Sequence, residues 1–453
     1  MISPRESGPG GPSAGKRATD KYDTDEHGVG ASGAGARSGA EPGLGERGIS
    51  AHSIGEHSAG ENSVDELSVD ERWDVAVVGA GPAGASAARA AAEAGARVVL
   101  LEKAALPRYK TCGGGLIGYS RRSLPPGLDV PVRQSIDAVS FSYDGGKPRT
   151  RRDRSGALLK LVNRADFDHA LAKAAIEAGA SLRERTAVAA VAETPDGFPV
   201  LSLADGSRIA ARAVVGADGS ASRTARFVGV RFGRVDLGLE AEIPVPPDVA
   251  ALWSGRVLID YGPVPGSYGW VFPKGDVLTV GVIAARGTGE AARAYYRAFV
   301  ERLGLDGFEA VSDSGHLTRC RTPDSPLSRG RILVAGDAAG LLEPFTREGI
   351  SYALRSGTMA GAAAARIAKA ATAKQAERAA QGYREQVEQV LGVEMDAGER
   401  LLAAFEKHPR YFQAAVTTIP QAWQAFAQFC RGQTTFAALL GSRTARAALR
   451  ALS

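Results

Sequence analysis

The stretch Trp73-Asp-Val-Ala-Val-Val-Gly79-Ala-Gly81-Pro-Ala-Gly84 decides the fold of this chain. Its apolar run leads into three glycines at the spacing G-x-G-x-x-G, and an alanine-rich segment of helical propensity continues to Gly95. A second apolar run, residues 97–101, ends at Glu102. This order predicts a buried strand, a tight turn, a helix and a second buried strand that ends in a carboxylate.

Such a strand–turn–helix–strand unit predicts a dinucleotide site. Gly79 permits the tight turn, Gly81 lets the backbone approach a pyrophosphate, and Gly84 lets helix and strand pack closely. Glu102 stands 23 residues after Gly79, where a carboxylate accepts from ribose hydroxyls, so the site favours FAD or NAD over NADP. The same glycine pattern at residues 43–48 has no strand before it and no helix after it. The residues predicted to bind the nucleotide are Gly79, Gly81, Pro82, Ala83, Gly84, Glu102 and Lys103.

Composition and charge exclude several classes of protein. The 453 residues contain no run of 18 apolar residues, which excludes a transmembrane helix, and the first 30 lack the apolar core of a secretion signal. Three cysteines are too few for a disulfide framework, so we expect a cytoplasmic protein. Residues 1–71 carry six basic and 13 acidic residues, net −7, which leaves 49 and 37, net +12, for the rest. We expect a disordered tail, and a basic body that suits anionic ligands or a membrane surface but has no nucleic-acid motif.

Three downstream segments suggest further contacts with the same cofactor. An apolar run, residues 331–335, leads into Gly336-Asp337, and Gly349-Ile350 precede a long helix predicted from Ser351 to about residue 373. Another apolar run ends in Asp218-Gly219, and Arg164 precedes a helix predicted over residues 165–178. In this order the segments resemble the FAD-binding class of p-hydroxybenzoate hydroxylase type.

The resemblance assigns a role to each segment. It implies that Asp337 holds the FAD ribitol and that the helix after Gly349 stabilises reduced flavin through its dipole. It also implies that Asp218-Gly219 lies near the pyrophosphate and that Arg164 helps to hold the flavin cofactor.

Two further segments indicate a branch of this class. Residues 106–116 include Lys110-Thr-Cys112-Gly-Gly-Gly115, which resembles the Lys-x-Cys-Gly-Gly segment over the flavin in the geranylgeranyl reductase family. Residues 268–273 resemble that family's Tyr-x-Trp-x-Phe-Pro segment, and the resemblance spans residues 73 to about 375. Arg347 departs from it, because we associate the family with glycine there; this cation either supplements the helix dipole or narrows substrate access. The loop adds Arg108, Gly113 and Gly114 to the predicted cofactor site.

The resemblance implies reduction of carbon–carbon double bonds in an isoprenoid, such as geranylgeranyl diphosphate, a prenylquinone or a prenyl lipid. FAD, reduced by NAD(P)H or a protein electron donor that visits transiently, supplies hydride to one alkene carbon, and an acid protonates the other. Cys112 is the candidate proton donor or loop anchor, with an inert thiol as the alternative. Tyr268 and Trp270 share one face of a predicted strand and wall the substrate slot, unless they are simply core residues.

The predicted architecture is α/β. A Rossmann-like FAD-binding domain (72–230 and 315–375) holds an inserted antiparallel-sheet substrate domain (231–314), and a C-terminal helical cap (376–453) completes it. In the cap, one helical face carries Ile419, Trp423, Phe426 and Cys430; such a stripe is typical of core packing, and a prenyl-chain lining or membrane-facing patch is the alternative. His316 receives no role. Two other functions stay open: a flavin-dependent monooxygenase or halogenase on the same scaffold, and a non-catalytic flavoprotein.

Overall fold

A computed structural model describes residues 69–441. The tail predicted to be disordered lies outside the described residues, except for its last three positions. The strands are, in chain order, β1 Glu71–Val78, β2 Val98–Leu101, β3 Gly115–Leu116, β4 Val132–Ile136, β5 Ala138–Tyr143, β6 Arg149–Arg152, β7 Leu159–Val162, β8 Ser181–Arg183, β9 Val188–Glu193, β10 Pro199–Leu203, β11 Arg208–Gly216, β12 Phe232–Pro244, β13 Arg256–Tyr261, β14 Tyr268–Pro273, β15 Val277–Ala285, β16 Ser312–Arg321, β17 Ser328–Arg329 and β18 Ile332–Val334.

The helices lie between and after these strands. Short 3₁₀ turns occupy Gly118–Ser123 and Gly336–Ala339, and a π-helical turn, Glu388–Gly392, joins the seventh and eighth α-helices. No helix within residues 69–441 is long and apolar enough to cross a membrane. The α-helices are α1 Pro82–Glu93, α2 Arg164–Glu177, α3 Arg223–Val228, α4 Pro247–Trp253, α5 Gly289–Arg302, α6 Ile350–Lys369, α7 Ala373–Val387, α8 Val393–Lys407, α9 Pro409–Thr418, α10 Pro420–Cys430 and α11 Phe436–Leu440.

The first sheet is the predicted nucleotide-binding sheet. It runs in the order β17-β18-β11-β1-β2-β8, with β18, β11, β1, β2 and β8 parallel, and the β9–β10 hairpin attached to β11. Helices α1 and α6 pack closely, because a Cβ on Gly357 or Gly361 would lie 2.1 Å from the carbonyl oxygens of Ala83 or Ala87. The core of this sheet is built from the predicted apolar runs, which confirms the Rossmann-like arrangement.

The second sheet runs in the order β16-β12-β15-β14-β13-β5-β6. It extends beyond the predicted insertion, because β5 and β6 come from residues 138–152 and β16 crosses the boundary placed at 315. It is also not purely antiparallel, since β5 pairs with β13 in parallel. Pairing with β5 covers an edge of β13 that would otherwise be open to another chain.

The helical regions differ from the prediction in three places. The helix expected to reach about residue 373 ends at Lys369, and a new helix begins after Thr372, whose side chain accepts from the Gln375 N–H. Helix α7 packs into the core of the first sheet, where the Tyr383 hydroxyl donates to the Val334 carbonyl at 2.6 Å, so the cap consists of α8–α11. Ile419 precedes α10 and is 48% exposed, whereas Trp423 and Cys430 are buried, so the predicted four-residue stripe loses its first member.

Candidate active site

The turn after β1 is tight on its protein side and open on the other. Gly79 has φ +96°, and a Cβ there would lie 2.4 Å from the Ala217 carbonyl oxygen. A Cβ on Gly84 would lie 1.7 Å from the Gly79 oxygen, whereas a Cβ on Gly81 would meet nothing closer than Arg108, at 3.7 Å. Helix α1 follows with Pro82 at its first position and no acidic residue in its first turn. This shape and the free N–H groups of the helix fit a pyrophosphate.

Glu102 lies at the end of β2 with 3% of its surface exposed. Its two carboxylate oxygens accept from the backbone N–H groups of Ala80, at 2.9 Å, and Ala104, at 3.1 Å. The carboxylate is therefore fixed beside the nucleotide turn, where a ribose would bind. Lys103 is exposed and has no hydrogen bond or ion pair within residues 69–441, so the structure gives this predicted residue no contact with the site.

A buried carboxylate holds two of the predicted arginines together. Asp168 is fully buried and accepts from Arg164 Nε at 2.8 Å, from Arg164 Nη2 at 3.0 Å and from Arg108 Nη1 at 3.2 Å. Arg108 also lies 3.3 Å from Glu102. Burial acts to lower the pKa of Arg164, but Asp168 and the adjacent Cys112 sulfur raise it far above its usual range. Arg164 thus stays charged beside the Cys112 loop, as a residue that holds an anionic cofactor must.

Asp337 lies in the 3₁₀ turn after β18, facing a residue that the sequence analysis left without a role. Its Oδ2 lies 3.9 Å from Nε2 of His316, and His316 Nε2 lies 3.1 Å from Lys110 Nζ. Partial burial acts to raise the pKa of Asp337, but His316 and Lys110 hold it below its usual range. Burial lowers the pKa of Lys110. Asp337 is therefore an ionised acceptor, which suits the polyol role that the resemblance implies.

Helix α6 begins beside this carboxylate. A Cβ on Gly349 would lie 3.6 Å from Asp337 Oδ1, and no hydrogen bond ties the N–H groups of Gly349 and Ile350 to an acceptor in residues 69–441. The Glu348 carboxyl accepts from the Ser351 N–H at 2.7 Å, and burial raises the pKa of Glu348 to about 7. The raised pKa favours the neutral form of Glu348, which opposes the positive end of the helix dipole less than a full carboxylate would.

The Asp218-Gly219 turn touches the nucleotide turn through its neighbour Ala217. The Asp218 carboxylate itself accepts from the Arg223 N–H at 2.8 Å and the Thr224 N–H at 3.2 Å. These bonds cap the start of α3. The segment therefore lies near the expected pyrophosphate, but its carboxylate is bonded to backbone N–H groups of the protein.

The loop around Cys112 lies against the second sheet. The Cys112 N–H donates to Glu240 Oε1 at 2.8 Å, and the hydroxyls of Thr111 and Tyr109 lie 2.8 and 3.2 Å from Ser314 Oγ. A Cβ on Gly113 would lie 2.7 Å from the Phe272 ring, and Gly114, at φ +73°, has no room for one. Glycine is thus required at both predicted positions for the loop to lie flat.

One face of the second sheet, hereafter the site face, lies under this loop. The register places Ser314, Glu240, Gly281, Trp270, Ile259 and Phe141 in one row across the strands. Side chains directly opposite each other on paired strands share a face. Polar residues lie on β12 and β16, the polar half: Asp236, Glu240, Glu242, Ser314 and His316. Aromatic residues lie on β5, β13 and β14, the aromatic half: Phe141, Tyr261, Tyr268, Trp270 and Phe272.

Glu240 is the most constrained carboxyl of the polar half. It is 1% exposed, its Oε2 has no hydrogen-bond partner within the described residues, and burial raises its pKa to about 7 despite nearby Lys274. Glu240 was not predicted as a site residue, although acidic side chains at positions 236, 240 and 242 of one strand indicate a polar face.

The aromatic half contains the two predicted wall residues. Tyr268 and Trp270 have ring centroids 6.0 Å apart, which confirms that they share a face. The Tyr268 hydroxyl donates to the Thr346 carbonyl at 2.6 Å. The Trp270 indole lies over Gly281, where a Cβ would come within 2.2 Å of it, and the buried indole N–H has no partner in residues 69–441. A flat, largely apolar wall therefore stands beside the Cys112 loop.

Arg347 lies beside this wall, on the same face of the sheet. Its backbone has φ +57°, a left-handed conformation that favours glycine and explains why the family would use glycine there. Its guanidinium pairs with Asp236 at 3.0 Å and lies 5.8 Å from the centre of the Tyr268 ring. Asp236 pairs with Arg347 as well as with Arg234, which argues against a role for Arg347 as a supplement to the helix dipole, and the side chain lies against the Tyr268 ring.

This fold and site define a FAD-dependent oxidoreductase. The family described as FAD binding domain matches residues 72–390. The digeranylgeranylglycerophospholipid reductase of Methanocella arvoryzae is 31% identical over 355 residues, which are 73% of this chain and 86% of that protein. The chain belongs to this FAD-binding family and, within it, to the geranylgeranyl reductase family.

Solved structures show the same fold at lower identity. A geranylgeranyl bacteriochlorophyll reductase-like protein from Thermoplasma acidophilum gives a TM-score of 0.66 at 21% identity, covering 80% of this chain and 96% of that one. A flavin-dependent brominase gives 0.64 at 17% identity, covering 84% and 98%. Because reductase-like and brominase structures match almost equally, the fold does not choose between their reactions.

Proposed function

We propose that this protein saturates carbon–carbon double bonds of an isoprenoid chain. The observation that carries the proposal is the aromatic half of the site face, a wall from Phe141 to Trp270 that ends at the Cys112 loop. The name of the Methanocella relative supports the same substrate class, since it refers to reduction of a geranylgeranyl lipid. Bound FAD supplies the hydride when it is reduced, and NAD(P)H or a protein donor reduces it.

Several predicted residues would contact bound FAD. The turn from Gly79 to Gly84 receives the pyrophosphate, and Glu102 and Asp337 accept from the ribose and ribitol hydroxyls. Arg164 and the start of α6 add positive potential. Glu102 and Arg164 are already fixed by other contacts, so these two groups would need little reorganisation on binding.

The aromatic half orients the alkene and keeps water out. Tyr268 is fixed by the Thr346 carbonyl and Trp270 by its seat on Gly281, so the wall has little freedom to move. An unactivated alkene has no carbonyl to polarise, so rigid orientation and a ready proton matter most.

Cys112 supplies that proton in our proposal. Its backbone is tied to Glu240 and its sulfur accepts from the Gly114 N–H at 3.4 Å, so the thiol has a fixed place at the loop. Burial raises the pKa of Glu240 to about 7, and its carboxyl accepts from the Cys112 N–H. Glu240 is therefore a positioning residue for Cys112.

The test is anaerobic. The purified protein is checked for bound flavin, reduced with dithionite, and mixed with prenyl diphosphates or a menaquinone extract without oxygen. A quinone ring also accepts electrons, so mass spectrometry must show that the prenyl chain gained two hydrogens. We expect that gain together with flavin reoxidation.

Two outcomes contradict the proposal. Reoxidation only after oxygen is admitted, with an oxygenated or halogenated product, identifies a monooxygenase or halogenase. Reducible flavin with no product from any substrate identifies a non-catalytic flavoprotein. Cys112→Ala, compared with Cys430→Ala in the cap, separates the thiol's role: only the first change should lower turnover while leaving flavin content unchanged.

We also propose that the protein works in the cytoplasm and contacts the membrane surface peripherally, since its substrate class is lipidic.

A further inference from the structure

The outer corner of the second sheet combines exposed cations with exposed apolar residues. Strand β6 forms the free edge of this sheet, and the segment around it, residues 147–154, carries five cations and one acid. Lys147, Arg149 and Arg154 are exposed and have no ion pair within residues 69–441. Their charge is therefore available to an external anion.

The junction of α9 and α10 adjoins this edge. Arg151 Nη1 donates to the Thr417 carbonyl at the end of α9, at 2.9 Å. Ile419, between the two helices, is 48% exposed, and Tyr411 on α9 is 64% exposed. Exposed positions 411, 414 and 418 recur at helical spacing, so they form one stripe along α9. We call the combined surface the basic corner; its residues are Lys147, Arg149, Arg151, Arg154, Tyr411, Thr418, Ile419 and Pro420.

Cations on an edge strand often serve only to block pairing with another chain. Two features of the basic corner go beyond that role. In the register of β5 and β6, Arg149 lies opposite Phe141 and Arg151 opposite Val139, so both share the site face rather than the open edge. The exposed Ile419 and Tyr411 add apolar surface, which blocking does not need.

A continuous file of aromatic rings leads from this corner to the active site. Arg151 lies over Trp423, 5.2 Å from its ring centre, and Trp423 contacts Phe426 at 5.6 Å. Phe426 contacts Phe141 at 5.4 Å, and Phe141 contacts Tyr261 at 6.2 Å. Tyr261 stands directly opposite Tyr268 in the sheet register. The interior beneath the corner is thus apolar as far as the proposed alkene wall.

We propose that the basic corner docks on an anionic lipid bilayer, which brings the bilayer surface to the outer end of this aromatic file. Charge complementarity favours this partner. Lys147, Arg149 and Arg154 attract anionic headgroups, and the exposed apolar residues insert at the membrane interface. The meaning of the aromatic file rests on the proposed function; the docking surface does not.

The test uses flotation of the full chain with vesicles of phosphatidylcholine alone or with one third phosphatidylglycerol. We expect binding to the anionic vesicles only, weakened by added salt. Reversing the charge of two cations, Arg149→Glu with Arg154→Glu, should weaken that binding by about 30-fold or more, since each cation near an anionic surface contributes about a five-fold factor. Ile419→Asn should weaken it without changing the charge.

The matched control reverses the charge of two exposed cations in α7, which packs on the first sheet. The two changes are Lys374→Glu and Arg378→Glu. Flavin content reports folding of every variant. Equal vesicle binding by both double variants, or no binding of the wild type to anionic vesicles, overturns the proposal. If the protein binds anionic vesicles normally but forms no prenyl product, the docking surface is supported and the proposed function is contradicted. The two failures are therefore distinguishable.

Discussion

The polar and aromatic halves of the site face lie on either side of β15 in one sheet, yet they are held in place by different interactions. In the polar half, Glu240 is fixed by the backbone N–H of Cys112, and Asp236 by the guanidinium of Arg347, both from distant segments. In the aromatic half, Trp270 is held mainly by ring contacts and by its seat on Gly281.

The difference predicts two kinds of sensitivity. The polar half should respond to changes of charge and pH, because a buried ion left without its partner is costly. The aromatic half should respond to changes of volume, because it is already closely packed. A charge substitution that perturbs only the aromatic half, or a volume change that perturbs only the polar half, would contradict this distinction.

The largest effect is expected at Asp236. Asp236→Ala leaves Arg347 buried without its carboxylate, and Arg347 already holds a left-handed backbone conformation. We expect the free energy of unfolding to fall by about 3–5 kcal/mol, measured by urea denaturation. The matched control is Asp324→Ala, which breaks an exposed pair with Arg231 and should cost about 0–1 kcal/mol. Similar losses for the two variants would show that burial of the first pair does not matter.

The next effect is the pH dependence contributed by Glu240. Burial raises the pKa of its carboxyl to about 7, so the folded protein binds a proton more tightly than the unfolded chain does. This group therefore makes the protein lose stability as pH rises from about 4.5 to 7, by an amount on the order of 3 kcal/mol.

Glu240→Gln should remove that loss. Denaturation at pH 5 and at pH 7.5 should show a smaller difference in unfolding free energy for this variant than for the wild type. Glu177→Gln, at an exposed position at the end of α2, should keep the wild-type difference. If the Glu240 variant keeps it too, the carboxyl is not protonated near neutral pH in the folded protein.

The third effect concerns β15, the strand between the polar half and the aromatic half. Gly281→Ala places a methyl where the Trp270 indole and the Leu239 carbonyl leave no space, so the indole must move. We expect a loss of about 1–3 kcal/mol and a shifted tryptophan emission. Gly238→Ala is the control on the same face, since its Cβ would meet nothing closer than 3.7 Å. An unchanged emission in the Gly281 variant would mean that the wall is mobile rather than packed.

The two halves also differ in how far the sequence predicted them. The shared face of Tyr268 and Trp270 follows from the period of two in a single strand, so local pattern was enough. The turn from Gly79 to Gly84 could also be predicted locally, because the strand before it and the helix after it mark it in the sequence. His316 and Glu240 gain their roles from Lys110 and Cys112, which are more than 120 residues away in the chain.

The remaining differences have similar causes. No glycine or proline marks the break between α6 and α7 in the alanine-rich run, and only Thr372 caps the second helix. The pairing of β5 with β13, on which the basic corner depends, joins segments more than 100 residues apart. Contacts of this kind depend on register in the folded sheet, which periodicity alone does not determine.

The smallest expected effect concerns the contact between the loop and the polar half. Tyr109 is 47% exposed, and its hydroxyl lies 3.2 Å from Ser314 Oγ, which also bonds Thr111 at 2.8 Å. Tyr109→Phe removes one of two bonds to the same oxygen, so we expect about 0.5 kcal/mol of local stability to be lost. Hydrogen–deuterium exchange of residues 109–114 should quicken while the global unfolding free energy stays constant. Tyr411→Phe, which removes an exposed hydroxyl from α9, should leave exchange in that loop unchanged. Because the aromatic half makes no hydrogen bond to Tyr109, slower exchange or an unaltered rate would show that the polar half does not hold the loop.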